Sequence, residues 1–304
     1  MGVNTCIVVV GPTAVGKTSL AIQLAKAFQT DIISADSRQC YREMSIGVAK
    51  PLLHSLQETR HYFIDSHSIH EEVNAALFEQ YALASVNEIF AKRQTAIMVG
   101  GTGLYVRAFC DGMDEIPVIV QNVRREIIRD YKENGLEWLQ RQVKENDPAY
   151  FEKAEILNPQ RLMRALEVKI STGRSIQSFH TGQQKSRDFL IRKIGLELPR
   201  EILYRNINER VDKMIAEGLI DEVRSLFACR HLSALNTVGY KELFPYLEGK
   251  IPKEEAIDAI KQNTRHYAKR QMTWFKKDST VTWFKPGDIE GILRELRIDN
   301  AGNQ

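Results

Sequence analysis

The chain has few cysteines and no pattern among them. Cys6, Cys40, Cys110 and Cys229 are widely spaced with no C-x-x-C pair, which argues against a zinc site or a disulfide framework and fits a reducing compartment. Seven histidines supply no ligand set either. His67 and His70 are three apart, but without the carboxylate or cysteine pattern of a metal site they read as structural or exposed. No apolar run approaches the length that spans a bilayer, and no basic leader with a cleavage site precedes the first apolar segment. The expectation is a soluble, cytoplasmic protein. Internal repeats and low-complexity tracts are lacking, and so is a strong excess of charge. The formal net charge of +3 permits nucleic-acid binding without demanding it. What is present is 304 residues, 43% hydrophobic and 27% charged, enough to bury a sizeable core in one large domain or two modest ones.

Cys6 to Val10 (CIVVV) is a continuous apolar, β-branched run, as expected of a parallel strand buried on both faces. In the helix predicted after it, Leu20, Leu24 and Phe28 form one stripe with Ala21 and Ala25 beside them. Asp31 to Ala35 and Thr95 to Val99 are further short strands ending at polar or glycine-rich residues, so strands alternate with helices. From about Asp114 to Arg192 the character changes. Arg124 to Glu133 and Leu136 to Glu145 read as exposed helices, and Asn158 with Pro159 is a helix start. Ser171 to Asp188 is polar and glycine-containing and reads as a mobile loop. Lys193 to Leu198 then resembles a strand returning to the sheet, with mostly helix beyond. The reading is an α/β chain with a parallel sheet built from residues 1–113 and 193–304, interrupted by a helical insertion at 114–192.

The strongest local signal is Gly11-Pro12-Thr13-Ala14-Val15-Gly16-Lys17-Thr18. It matches G-x-x-x-x-G-K-[ST] after a buried strand and before an amphipathic helix, the context that identifies a P-loop. The glycines let backbone N–H groups face a phosphate, the helix N-terminus adds a favourable dipole, Lys17 adds a point charge, and Thr18 offers a hydroxyl to magnesium. The motif leaves open what the phosphates are attached to.

Three other features invite a chemical reading beside a plain one. Asp36, in Ser34-Ala35-Asp36-Ser37-Arg38-Gln39, follows the second strand at the edge where open α/β sheets place their chemistry. It is suited equally to a base or to an Asx-turn. Thr102, within Gly100-Gly101-Thr102-Gly103-Leu104-Tyr105, either faces the site or belongs to a tight strand-to-helix turn. Arg210 lies in the helix 205–217, whose apolar stripe is Ile207, Val211, Met214 and Ile215. Its fork either closes over phosphate oxygens or sits in solvent. Arg161 and Arg164 are three apart on a helix, with Leu162 and Leu166 on another face. A second basic stretch, Arg265 to Lys277, is interleaved with Tyr267, Trp274 and Phe275, and its spacing alone favours aromatics in the core with solvated cations.

Taken together, GPTAVGKT, SADSRQCYREMSIGVAKP, GGTGLY, NPQRLMRALEV, INERVDKM, TVGYKEL and YAKRQMTWF, in this order over nearly the whole chain, resemble the tRNA dimethylallyltransferase family. Without the zinc-finger extension of eukaryotic members, the chain looks bacterial in type. The resemblance implies a P-loop NTPase-like fold and transfer of a dimethylallyl group from dimethylallyl diphosphate to the exocyclic N6 amine of the adenine 3′-adjacent to the tRNA anticodon. It also implies Mg2+, for which Thr18 is the expected ligand, and no consumption of ATP; the expected partners are the tRNA anticodon stem-loop and dimethylallyl diphosphate, with the chain expected to be a monomer. Carried over residue by residue, Gly11 to Thr18 bind the donor, Arg210 completes the clamp, Asp36 is the general base, and Thr102 positions the adenine. Asp36, Ser37, Arg38, Gln39, Thr102, Arg124, Gln160, Arg161, Leu162, Met163 and Arg164 contact the tRNA. The competing readings are an ATP-dependent small-molecule or nucleotide kinase, or a P-loop ATPase acting as a binding module. The long helical insertion and basic C-terminal segment count against the first; for the second, only DIISAD approaches the required strand ending in Asp.

Overall fold

The computed structural model describes residues 3–117 and 119–301, and the chain forms two compact units. The first comprises the residues up to Gly112 and those from Ser186 onward; the second is Met113–Lys185. Six strands form the sheet of the first: β1 (Thr5–Val10), β2 (Ile32–Ser34), β3 (His61–Tyr62), β4 (Thr95–Val99), β5 (Leu190–Leu196) and β6 (Val281–Phe284). Their spatial order is β3-β2-β4-β1-β5-β6, and every pairing is parallel. β1 is central, in register with β4 through Cys6 and Ala96 and with β5 through Val10 and Gly195. That position explains its unbroken apolar run, because Cys6 to Val10 are buried on both faces.

The helices follow in chain order: α1 (Lys17–Phe28), α2 (Leu53–Glu58), α3 (Ala75–Phe90) and α4 (Gly103–Asp111) before the second unit. Within that unit lie α5 (Gln121–Asn146), α6 (Pro148–Phe151) and α7 (Pro159–Thr172). After it come α8 (Arg200–Ala216), α9 (Leu219–Ser225), α10 (Leu243–Leu247), α11 (Lys253–Phe275) and α12 (Ile289–Ala301). The core of the sheet unit joins Ile7 and Val9 of β1, Leu20 and Leu24 of α1, Ile97 of β4, Ile194 and Leu196 of β5, and Leu203 and Ile207 of α8. Each such side chain contributes about 1.5–3 kcal/mol by leaving water. This packing fixes the carboxyl ends of β1, β2 and β4 side by side, where the Gly11, Asp36 and Gly100 loops begin.

The second unit is helical. Ile127, Leu139 and Val143 of α5 pack with Leu162, Met163 and Leu166 of α7. Gly135, at φ 76° and ψ −168°, breaks α5 between the two charged stretches expected as separate helices. Asn158 caps α7 by accepting from the Arg161 N–H, with Pro159 at its first turn.

Two strands escaped the sequence reading, β3 and β6. Each is four residues or fewer, too short to show a period. The stretch 171–188, read as a loop, begins with the last residues of α7 and contains a 3-10 turn, Ile176–Phe179. Ile176 of that turn is buried against Ala165 and Val168. The boundary at 192 falls inside β5. Residues from Ser186 belong to the sheet unit, where Arg187 pairs with Glu79 at 2.8 Å and donates to the carbonyls of Phe109 and Ala108.

Candidate active site

The loop after β1 curls through three residues with positive φ, Gly11 at 141°, Ala14 at 63° and Gly16 at 99°. Such alternation makes a concave nest of backbone groups suited to an anion. Lys17 Nζ donates to the Pro12 carbonyl at 2.7 Å, closing the loop on itself. The Lys17 pKa is lowered to about 7, chiefly by burial and also by the nearby Arg210 charge, with Asp36 opposing both. Burial also lowers Arg210 below its ordinary value, again opposed by Asp36. Two cations with one carboxylate form a site short of negative charge, which an anion would supply.

α8 reaches this loop with two side chains one turn apart. Arg210 donates to the Thr13 hydroxyl at 3.4 Å, and Asn206 to the Ala14 carbonyl at 3.4 Å. Of the alternatives for Arg210, the structure selects the loop over open solvent.

Asp36 forms the Asx-turn and also lines the cavity. Its Oδ1 accepts from the N–H groups of Arg38 at 2.9 Å and Gln39 at 3.3 Å, an Asx-turn that orients the carboxylate while the residue lines the cavity. Thr102 joins this turn to the loop after β4. Its hydroxyl accepts from the Ser37 N–H at 3.0 Å and donates to Ser37 Oγ at 3.3 Å, while its own N–H donates to the Ala35 carbonyl. The phosphate loop and these two turns surround a cavity of about 360 Å³. Its lining combines polar Thr13, Lys17, Thr18, Asp36, Arg38 and Arg210 with apolar Ile207, Val211, Met214, Val238 and Ile260. Tyr267 and Arg270 also line it, and burial pushes the Tyr267 hydroxyl up to about 12. Phe275 of the same stretch is core, whereas Trp274 is half-exposed.

Burial and existing bonds limit what several of the expected contact residues can offer. Leu162 and Met163 are buried in the core of the helical unit, so their side chains are not available to RNA. Gln39 Nε2 donates to the Val48 and Ala49 carbonyls and its Oε1 accepts from Ser34, so its amide braces the 48–49 loop. Val15 is a core side chain and offers a ligand only its backbone. Gln160, Arg161 and Arg124 are exposed and Arg164 partly so. Arg161 pairs with Glu155 at 2.9 Å, while Arg124 and Arg164 flank the buried carboxylate of Glu167 at 3.8 and 3.5 Å. His67 packs beside Phe63 and Tyr81, and His70 is exposed.

Sequence reasoning missed residues whose partners are distant in the chain. Glu222 accepts from the N–H groups of Ser45, Ile46 and Gly47 at 2.8–3.0 Å and from the Tyr240 hydroxyl at 2.5 Å, holding the loop that leads into Val48 and Ala49. Asn206 and Gln271 were missed as well. A signal existed for Asn206, which precedes Arg210 by one helical turn; none existed for Glu222. Among the described residues no group of three His, Cys, Asp or Glu side chains could hold a metal ion, and no helix is long and apolar enough to cross a membrane.

Comparison with known proteins agrees with this geometry. The sequence model of the family described as IPP transferase matches residues 39–278. The tRNA dimethylallyltransferase 1 of Bacteroides thetaiotaomicron is 45% identical over 296 residues, covering 97% of this chain and 96% of that one. The tRNA dimethylallyltransferase of Christiangramia forsetii is 46% identical over 282 residues, covering 93% of each. Among solved structures, the full-length tRNA isopentenylpyrophosphate transferase of Bacillus halodurans superposes with a TM-score of 0.72 at 35% identity, covering 98% of this chain and 97% of that one. A matching family model over most of the chain, near-complete relatives and a shared fold together place this chain in the IPP transferase family.

Proposed function

We propose that this protein transfers a dimethylallyl group from dimethylallyl diphosphate to the N6 amine of the adenine 3′-adjacent to the anticodon of tRNA, releasing diphosphate. The observation that carries the reading is the convergence on one cavity of phosphate-loop residues, Arg210 and Asp36 together with apolar side chains, while Thr102 is bonded to the turn that carries Asp36. Family membership assigns the phosphate to a leaving group, which disfavours the kinase alternative.

The adenine amine is a weak nucleophile because its lone pair is delocalised into the ring, while an allylic carbon tolerates positive charge. Stabilising the departing group therefore matters most. As nitrogen bonds to the allylic carbon, the carbon–oxygen bond breaks and its electron pair leaves with the diphosphate. Gly11 to Thr18 cradle that diphosphate, and Lys17 and Arg210 oppose its charge. Asp36, oriented by its turn, accepts the proton the amine sheds, and Thr102 positions the base. The isoprenoid tail lies against Ile207, Val211 and Met214.

The residues present fit Mg2+. A small hard cation keeps several waters and takes its remaining oxygens from substrate phosphates and one or two side chains, so it needs no dedicated cage of protein ligands. Thr18 lines the cavity and would hold it. When bound, the ion supplies further charge neutralisation to the leaving diphosphate.

The anticodon loop leaves its bases unpaired and easier to unstack into a pocket. Arg38 and Ser37 at the cavity, and Arg124, Gln160, Arg161 and Arg164 on the helical unit, grip the flanking RNA. To test the reading, the protein is incubated with magnesium, dimethylallyl diphosphate and unmodified tRNA, and the adenine-containing digest fragment is weighed. An added five-carbon unit is expected; ATP turnover without that mass would sink the proposal.

A further inference from the structure

Gln271 lies on α11, in a stretch whose sequence reads as basic and aromatic, yet it is 5% exposed and both ends of its amide are engaged. Its Oε1 accepts from the Thr13 N–H in the phosphate loop at 2.8 Å, and its Nε2 donates to the Gly101 carbonyl after β4 at 2.9 Å. The partners fix the amide's orientation, since a backbone N–H only donates and a carbonyl only accepts. Gly101 shows how closely the side chain is seated. A Cβ at that position would fall 2.1 Å from Gln271 Nε2 and 3.7 Å from the Lys17 ammonium. The absence of a side chain at 101 is therefore what lets Gln271 reach the carbonyl.

We propose that Gln271 is a positioning residue that locks the phosphate loop to the 100–102 loop and so sets the register between the donor's reacting carbon and the acceptor amine. This rests on the transfer reaction proposed above. The hydrogen bonds run on from Gly101 without a gap in the chain. The adjacent Thr102 accepts from the Ser37 N–H, and Asp36 precedes Ser37 and carries the base. Thr13, at the other end, also receives Arg210. One amide thus connects the loop that holds the leaving group with the turn that holds the base, although the two loops belong to separate strands. Gln271 does not line the cavity, so its loss should misplace the two substrates relative to each other while leaving each able to bind. A displacement of about 1 Å at a reacting centre is worth on the order of 100-fold in rate.

Gln271→Met keeps the length of the side chain and removes both bonds; Gln271→Asn keeps the amide but is too short to span the two loops. Donor affinity is measured by calorimetry without tRNA, and the transfer rate under single turnover with both substrates saturating. For both variants the donor Kd should stay within roughly threefold of wild type while the rate falls about 10- to 100-fold. Should Gln271→Met melt below the assay temperature, Gln271→Asn carries the test. An unchanged rate, or a loss confined to donor Kd or to the melting temperature, would overturn the positioning role. Absence of transfer by the wild-type chain would instead overturn the functional reading on which it rests.

Discussion

The backbone N–H of Ser37 donates to the Thr102 hydroxyl over 3.0 Å, tying the turn that carries Asp36 to the loop after the neighbouring strand. Thr102→Val keeps the shape and removes the acceptor. Leaving the part-buried N–H unpaired costs about 1–3 kcal/mol locally, so the transfer rate should fall with a modest drop in melting temperature. Thr102→Ser, which retains the hydroxyl, should recover most of both. Equal behaviour of the two variants would contradict the role given to the hydroxyl.

Asp36 both caps its turn and faces the cavity, and two substitutions separate these functions. Asn can still accept from Arg38 and Gln39, so Asp36→Asn should preserve the turn while losing the base. The expected loss is about 100- to 10,000-fold in kcat with donor affinity nearly intact. Asp36→Ala should lose the turn as well, and calorimetry alongside kinetics distinguishes the two.

Lys17 has a folded-state pKa of about 7 against an ordinary 10.5, chiefly through burial. Between these values the ligand-free fold binds fewer protons than the unfolded chain, so this group makes stability rise with pH from about 7 towards 10.5. An arriving diphosphate favours the ammonium and raises the pKa again. Donor binding at alkaline pH in the absence of divalent ions should then take up a proton, visible as a buffer-dependent heat. Lys17→Met should abolish the uptake.

The Arg187 and Glu79 side chains pair at 2.8 Å and are only 10% exposed each. Removing one member leaves the other's charge in a poor solvent, a loss of about 3–5 kcal/mol. Arg187→Met should lower the denaturation midpoint accordingly, measured by urea unfolding with the wild-type slope.

Arg161 pairs with an exposed Glu155, a contact that phosphate can replace at little cost. Arg161→Ala should weaken tRNA binding and reduce the salt slope of log K by about 1, with donor affinity unchanged. Parallel loss of donor binding would show that this arginine serves another site.

What the sequence determined by itself was local. The P-loop, its buried strand and its amphipathic helix were legible because neighbouring residues set each of them: β-branching and burial for β1, the glycines for the turn, and the 3.6-residue stripe for α1. The Asn158 cap was legible for the same reason. Ordered motifs also carried the family.

The tertiary structure decided which of the candidate side chains meet. Gln271 is 258 residues from Thr13, and Glu222 is 177 from Ser45; no periodicity joins positions so far apart. The same applies to Leu162 and Met163, which a motif places beside Arg161 and Arg164 but packing turns into the core. Short strands such as β3 take their conformation from a partner rather than from their own residues. The physical reason is common to all of these. Backbone conformation is biased by adjacent residues, whereas a bridging hydrogen bond exists only after the core has fixed the distance between the elements that carry its two ends.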